Sequence, residues 1–309
     1  MKKLIAVVIS AATLSLISAP TSSALDVEQT TGDTSYTFAI DEENGKAEII
    51  SVKNAKGVIE IPEEINGYKV TSIGDKAFFG QTALEYVSFP ASLEKIGQSA
   101  FSGCSSMTQL TIPDSVEEIG SSAFMGCYNL MTASIGNGVT EIPPDCFFSC
   151  NALKEILLPE GLQKIGSEAF YGCPSLDTLI PSTVTEIGFN ALGYEPDMHS
   201  NSSVKVPGFI VGGKTGSYAE IYASENFFDF LDPDNYLPGD INNDKKVDAK
   251  DASAVLAEYA GASTGAELTF TPWQKIVGDV KADMVIDAND ASKILIEYAR
   301  LSTLPDSSL

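Results

Sequence analysis

A phrase of 23 residues recurs along the middle of this chain, and a unit that short cannot enclose its own hydrophobic side chains. Its copies are marked by Ile73-Gly74, Ile96-Gly97, Ile119-Gly120, Ile142-Pro143, Ile165-Gly166 and, after one deletion, Ile187-Gly188. Five residues beyond each Ile stands Phe78, Phe101, Phe124, Phe147, Phe170 or Leu192, followed by Leu84, Met107, Leu130, Leu153 or Leu176 in the first five. Units close on an apolar-Pro pair, as in Ile61-Pro62, Phe89-Pro90, Ile112-Pro113, Leu158-Pro159 and Ile180-Pro181. Equivalent apolar positions can be buried only if neighbouring units stack, so the pattern predicts a solenoid with one continuous core. Alternation in Gln109–Ile112 suits a short strand, and Ser121–Phe124 and Ser167–Phe170 suit a single helical or 3₁₀ turn.

The unit Val-x-x-Ile-Gly-x-x-Ala-Phe-x-Gly-Cys-x-x-Leu resembles the leucine-rich repeats of the bacterial BspA-like class over about residues 36 to 226. The resemblance implies a binding and adhesion scaffold rather than a catalyst. Pro143 and Cys146 depart from the pattern in the fourth unit. Ahead of the units, Tyr36–Ile40 and Ala47–Val52 flank Glu43-Asn44-Gly45-Lys46 and read as a hairpin that caps the open end. After them, Val204–Ser217 and Tyr218–Ala223 read as an irregular closing unit with a short helix, and Asp232–Pro238 as a linker held by two prolines. The exposed positions of the repeat are expected to carry neither an aromatic strip nor a basic cluster.

Past the linker the chain writes a second duplication, Asp240–Leu256 and Asp279–Leu295. Carboxylates fall at positions 1, 5, 9 and 12 of each copy, directly ahead of an apolar helix. Such spacing wraps oxygen ligands around one hard cation, as in an EF-hand loop; two acidic solvated turns are the alternative. The first loop offers Asp240, Asn242, Asp244, the carbonyl of Lys246, Asp248 and Asp251; the second offers Asp279, Asp283, the carbonyl of Val285, Asp287 and Asp290. Position 3 of the second loop is Lys281, which removes a ligand and weakens the site. Lys245 and Met284 stand at position 6, where a sharp loop favours Gly. Val247 and Ile286, at position 8, are placed to pair as short strands. Val255, Leu256 and Tyr259, with Ile294, Leu295 and Tyr298, are expected on the buried faces of the helices.

Two loop-helix segments closed by Asp at position 12 are similar to a dockerin. That resemblance implies two Ca²⁺ ions and docking onto a cohesin module of a scaffold protein in cellulosome-type, polysaccharide-degrading assemblies. The implied contacts are Ala249, Lys250, Ala288 and Asn289 in the loops, with Ala257, Lys293 and Ile296 on the helices. Ile296 is expected to be an exposed anchor if it is not core. Trp273, the single tryptophan, is expected to pack in a helix between the loops.

Composition limits the rest. The opening Met1-Lys2-Lys3, the apolar run Leu4–Ile17 and small residues to Ala24 read as a secretory leader removed after about Ala24. A retained anchor is the weaker alternative, because the run is shorter than the roughly 20 residues a span needs. The net charge of −23 repels nucleic acid and anionic surfaces. Five cysteines, four of them one period apart, and the lone His199 offer neither a disulfide framework nor a Cys/His site. The expected organisation is a leader (1–24), hairpin cap (25–57), solenoid with its cap (58–226), linker (227–238), dockerin (239–302) and tail (303–309). The expected fold is a β-rich leucine-rich-repeat solenoid with short helical or 3₁₀ turns, then a small α-helical dockerin. The expected role is a secreted, non-catalytic recognition scaffold on a cell-surface multi-enzyme complex, its solenoid facing an extracellular protein or glycan. A dockerin-borne hydrolase with an unrecognised carboxylate pair, or an adhesin for host or competitor proteins, are the alternatives.

Overall fold

Residues 24–31, 34–197, 199–200, 202–233, 237–242, 246–264, 270, 277–281 and 286–302 are described by the computed structural model. They divide into two compact units. The first contains everything described up to Val206 together with Ser217–Ala219; the second contains Pro207–Gly216 and the residues from Glu220 onward. Residues 1–23 of the expected leader, the tail 303–309, Trp273, Lys245 and Met284 lie outside the described residues.

The first unit opens with three antiparallel strands, β1 (Ala24–Thr31), β2 (Thr34–Asp41) and β3 (Lys46–Lys53). The β2–β3 turn forms because Asp41 Oδ1 accepts the backbone N–H groups of Glu43 and Asn44, both at 3.1 Å, and Gly45 supplies a positive φ of 67°. Sequence reading found this hairpin but missed β1. From β3 the sheet turns parallel and passes through Tyr68–Ile73, Lys95–Ile96 and Glu118–Ile119. Glu141–Ile142, Lys164–Ile165 and Glu186–Ile187 form a separate parallel sheet. A third row pairs Gln109–Thr111, Thr132–Ser134 and Glu155–Leu157.

The repeated Ile-Gly pair links successive coils through the backbone. Gly74 N–H donates to Ile49 O, Gly97 to Ile73, Gly120 to Ile96, Gly166 to Ile142 and Gly188 to Ile165, at 2.7–2.8 Å. Only glycine fits this approach: a Cβ at Gly120 would stand 2.4 Å from the backbone nitrogen of Gln98. The fourth coil has Pro143 at this place, which has no N–H to give to Ile119. That missing donor coincides with the point where the row of Ile strands separates into two sheets.

Behind each strand the side chains stack in register. Phe78, Phe101, Phe124, Phe147 and Phe170 are almost fully buried, with ring centroids 4.6–5.5 Å apart and interplanar angles of 1–17°. Each buried ring contributes on the order of 2–3 kcal/mol from area alone. Cys104, Cys127, Cys150 and Cys173 point to the same interior, and their thiols donate to the carbonyls of Phe78, Phe101, Phe124 and Phe147 at 3.2–3.4 Å. Burial pushes the Cys104 and Cys173 thiols up to about 12, so they remain protonated core groups.

The arcs carrying these Phe residues form neither an α- nor a 3₁₀-helix, contrary to expectation. They are turns interrupted by a left-handed residue in every coil: Lys76, Ser99, Ser122, Asp145, Glu168 and Asn190, with φ of 50–59°. A second left-handed position follows four residues later, occupied by Gly80, Gly103, Gly126 and Gly172 but by Ser149 (φ 57°) in the fourth coil. A helix cannot propagate through such alternation.

In the second unit, strands Ile210–Gly213 and Asp229–Leu231 pair in parallel, and α1 (Tyr218–Glu225) lies between them in sequence. Asp229–Leu231 was expected in the linker. Beyond it, α2 (Ala249–Thr264) and α3 (Ala288–Ser302) enclose a core of Ile241, Val247, Ala252, Val255, Val277, Ala291 and Ile294. Val247 and Ile286 form no strands; Val247 is a member of this core and Ile286 packs against it. The buried stripe is narrower than expected. Leu256, Tyr259, Leu295 and Tyr298 are each 42% exposed, because Ala252, Val255, Ala291 and Ile294 at three-residue spacing fill the core.

Two tests follow from the first unit. Replacing Ser149 by Gly relieves a left-handed side-chain penalty and should raise stability by about 1 kcal/mol in urea unfolding. Burial raises the carboxyl pKa of Asp145; burial and then the Asp145 charge raise that of Glu168. A raised folded-state value contributes stability below the unfolded carboxyl range and loses it as pH climbs through the folded value. Glu168→Gln should therefore raise Tm at pH 7 and leave it unchanged near pH 3.

Candidate functional site

The break at Pro143 coincides with a groove. A pocket of about 550 Å³ is lined by Asp75, Lys95, Gln98, Glu117, Glu118 and Glu141, with Pro143 and Pro144 at its end. Lys95, Glu118 and Glu141 occupy equivalent outward positions of successive strands, and Asp75 and Gln98 equivalent positions of the turns that follow. Lys95 Nζ pairs with Glu118 at 2.8 Å, and Lys164 Nζ with Glu186 at 3.3 Å and Glu141 at 3.7 Å. All are roughly half exposed, so each pair adds at most about 1 kcal/mol. Four carboxylates against one lysine leave the lining acidic.

A second surface corrects the expectation that no aromatic strip exists. The residue after the core Phe is exposed at Phe79 (56%) and Met125, whereas Ser102 and Tyr171 at the same place are buried, and Phe148 stacks on Tyr171 at 5.0 Å. Tyr128, 54% exposed, lies beside Gly126 on the same turn, where a glycine Cβ would be 3.6 Å from its ring. In Phe78-Phe79 and Phe147-Phe148 two phenylalanines are adjacent, and the repeat assigns the first of each to the core. Only the first of each turns inward, because the left-handed residue two positions before it sets the direction of the arc.

The duplicated acidic loops lie in the second unit. Asp240 is 2% exposed and Asp251 and Asp290 are fully buried. Asp251 Oδ1 accepts the N–H groups of Ile241 (2.8 Å) and Asn242 (3.3 Å), and Oδ2 that of Asp248 (2.8 Å). Asp290 repeats the arrangement with Lys281 N–H at 3.1 Å and Asp287 N–H at 2.9 Å. The position-9 carboxylates cap the helix starts: Asp248 Oδ1 accepts Lys250 N–H and Asp287 Oδ1 accepts Asn289 N–H, both at 2.7 Å. Each loop is therefore fastened to its helix by two carboxylates, at positions 9 and 12, a capping role the sequence reading missed. Backbone and side-chain bonds from Asn289, followed by attraction from Lys281, hold the Asp287 carboxyl below the usual range.

These bonds occupy three of roughly four acceptor sites on Asp251, leaving room for one further bond rather than two. The remaining described donors, Asp240, Asn242 and Asp248 in one loop and Asp279 and Asp287 in the other, are all oxygens, a chemistry that fits a hard divalent cation. Asp244, Asp283 and Val285 lie outside the described residues, and Lys246 is exposed. Among the described residues no three carboxylate, thiol or imidazole groups converge as a metal cluster.

On the outside of the same module, Ala249, Lys250, Ala257, Ala288, Asn289 and Lys293 are exposed, and Ile296 is 69% exposed. Ile296 is therefore not core. Tyr259, Tyr298, Leu256 and Leu295 add apolar surface at equivalent positions of the two halves.

Asp251→Ala should lower the stability of the C-terminal module by about 2–3 kcal/mol even in EDTA, since it strands buried N–H donors. The emission of Trp273 during urea unfolding would check this.

Residues 71–198 match the family model described as BspA type leucine rich repeat region, in six copies. No curated protein matches the chain. Among solved structures it is similar to a leucine rich cell surface protein from Faecalibacterium prausnitzii, at 26% identity and TM-score 0.42 over 58% of this chain and 60% of that one. A leucine rich repeat protein from T. pallidum matches at 24% identity and TM-score 0.34, over 46% of this chain and 88% of that one. One from Eubacterium ventriosum matches at 19% and 0.40, over 53% and 48%. The chain thus spans 60% of the length of the first of these proteins. Among the described residues no helix is long and apolar enough to cross a membrane.

Proposed function

We propose that this protein is a secreted, non-catalytic recognition scaffold. Its leucine-rich solenoid grips an extracellular protein, and its C-terminal module is a calcium-dependent dockerin that tethers it to a cohesin of a polysaccharide-degrading complex. The observation that carries the tether is the duplication itself: two acidic loops, each capped onto its helix, whose halves share one small core. A module of about 60 residues buries little surface, so a bound ion would supply a large share of its folding energy. Asp240, Asn242, Asp244, the Lys246 carbonyl and Asp248 would hold Ca²⁺ in the first loop, with Asp251 closing it by its one free acceptor site. Asp279, Asp283, the Val285 carbonyl, Asp287 and Asp290 are the corresponding set in the second. Calcium would offset clustered negative charge and fix the loops, while the exposed Ala249, Lys250, Ala257, Ala288, Asn289, Lys293 and Ile296 would meet the cohesin.

For the solenoid, the proposed contact surfaces are the acidic groove at Pro143 and the apolar flank of Phe79, Met125, Tyr128 and Phe148. Leucine-rich repeats present such surfaces on a rigid stack, where side chains are already ordered before a partner arrives. The repeat also occupies most of the chain ahead of the acidic loops, which leaves little room for a separate catalytic fold.

Calorimetric titration of the full chain with Ca²⁺, then with a panel of cohesins, tests the tether. Calcium-dependent cohesin binding that EDTA abolishes is expected, and Ile296→Asp should weaken it at least tenfold without changing calcium uptake. Binding of every cohesin absent in calcium would remove the tether.

A further inference from the structure

Along the Ile row, backbone bonds on either side of each strand lace one coil to the next, and at one junction they fail. Besides the glycine bond, the residue two before the Ile donates to its equivalent in the preceding coil. Glu94 N–H reaches Thr71 O, Glu117 reaches Glu94, Gln163 reaches Thr140 and Thr185 reaches Gln163, at 2.8–2.9 Å. Between the third and fourth coils Pro143 has no N–H for Ile119 O, and Thr140 N–H does not meet Glu117 O. Among the described residues no backbone N–H reaches either carbonyl. The core side of the same junction is intact: Ser122 N–H donates to Pro144 O at 3.0 Å, Phe124 N–H to Cys146 O at 2.9 Å, and the Phe124 and Phe147 rings are 5.4 Å apart. The coils are therefore clamped at the core and open only at the strand face.

The 550 Å³ cavity lies along this seam, with Glu117, Glu118 and Ile119 on one lip and Thr140, Glu141 and Pro143 on the other. Glu118 and Glu141 hold equivalent strand positions, so like charges face each other across the unbonded gap. The neighbouring lysines lean away from it. Lys95 holds Glu118 from the N-terminal side at 2.8 Å, and Lys164 stands nearer to Glu186 (3.3 Å) than to Glu141 (3.7 Å). Glu117 makes no ion pair among the described residues.

The seam thus presents backbone carbonyls and carboxylates together, acceptors of both kinds in need of N–H donors and positive charge. The carboxylates do not converge as a metal cluster, so separated donors suit them better than one ion. A lysine ammonium is a strongly hydrated point charge. A guanidinium carries five N–H groups in a planar fork, is more weakly hydrated, and can meet a carbonyl and a carboxylate at once.

We propose that the seam between the third and fourth coils is the pocket for an arginine side chain of the extracellular protein that the solenoid grips. Its guanidinium supplies the N–H groups that Pro143 and Thr140 do not, and its charge relieves Glu118 and Glu141. This rests on the recognition role proposed for the acidic groove and names the partner group that the groove takes.

Capped pentapeptides Gly-Gly-Xaa-Gly-Gly, with each common residue type or citrulline at the centre, titrated into the full chain and followed by amide NMR shifts, test it. The arginine peptide should move the amides of Ile119, Gly120, Thr140 and Glu141 saturably. It should bind about tenfold tighter than the citrulline peptide, which keeps the shape without the charge, and tighter than the lysine peptide. Pro143→Gly restores the residue found in the other coils, and should close the seam and abolish the response with the fold retained. Glu118→Gln combined with Glu141→Gln should weaken binding by about tenfold. Equal affinity for lysine, or undiminished arginine binding in Pro143→Gly, would overturn the inference. A seam response to other peptides but not to arginine, lost in Pro143→Gly, would overturn it while leaving the groove as a recognition surface. Seam amides that no peptide moves would remove both.

Discussion

Everything in the solenoid rests on a backbone hydrogen bond made at the core phenylalanine of each coil. Phe78 N–H donates to Ala100 O, Phe101 to Ala123, Phe124 to Cys146, Phe147 to Ala169 and Phe170 to Ala191, at 2.8–2.9 Å. A buried amide left without a partner is costly, so each coil is fixed in register by the next. That register puts the rings over one another, and the carbonyls of the phenylalanines themselves receive the thiol protons of the cysteine column. Because each coil depends on its neighbour, changes in one unit are felt mainly at the adjoining interfaces.

Departures from the repeat are where surface features arise. Pro143 withholds one N–H, the row of Ile strands separates, and a groove lies at the same place. Ser149 stands where other coils have glycine and accepts a left-handed backbone. Phe79, Met125 and Phe148 replace the Ser102 seen in the second coil and give one flank an apolar character. The regular positions maintain the stack, and the irregular ones distinguish this solenoid from a uniform one.

The C-terminal module works by another principle. Among the described residues its core is built from small and branched apolar side chains, Ile241, Val247, Ala252, Val255, Val277, Ala291 and Ile294, a modest core for a module of this size. Buried carboxylates at Asp251 and Asp290 take up the deficit by binding loop N–H groups, so the acids serve structure before any ion arrives. The two loops differ in sequence, the second carrying Lys281 where the first has Asn242.

The sequence by itself determined the repeat length, the inward Ile, Phe, Leu and Cys columns, the β2–β3 hairpin and the doubled acidic pattern. These follow from periodicity, and periodicity is written in the order of residues. It did not determine that the arcs carrying the core phenylalanines would be turns and not helices, because that depends on left-handed residues such as Lys76 and Asp145, whose side chains do not announce a positive φ as glycine does. Nor did it separate Val255 from Leu256, or Ile294 from Leu295, since neighbouring apolar residues on a helix compete for one core that only the packed partner defines. The capping role of Asp251 and Asp290 was likewise decided in three dimensions: a carboxylate can bind a metal or a backbone N–H, and the choice belongs to whichever donor the folded loop brings within 3 Å.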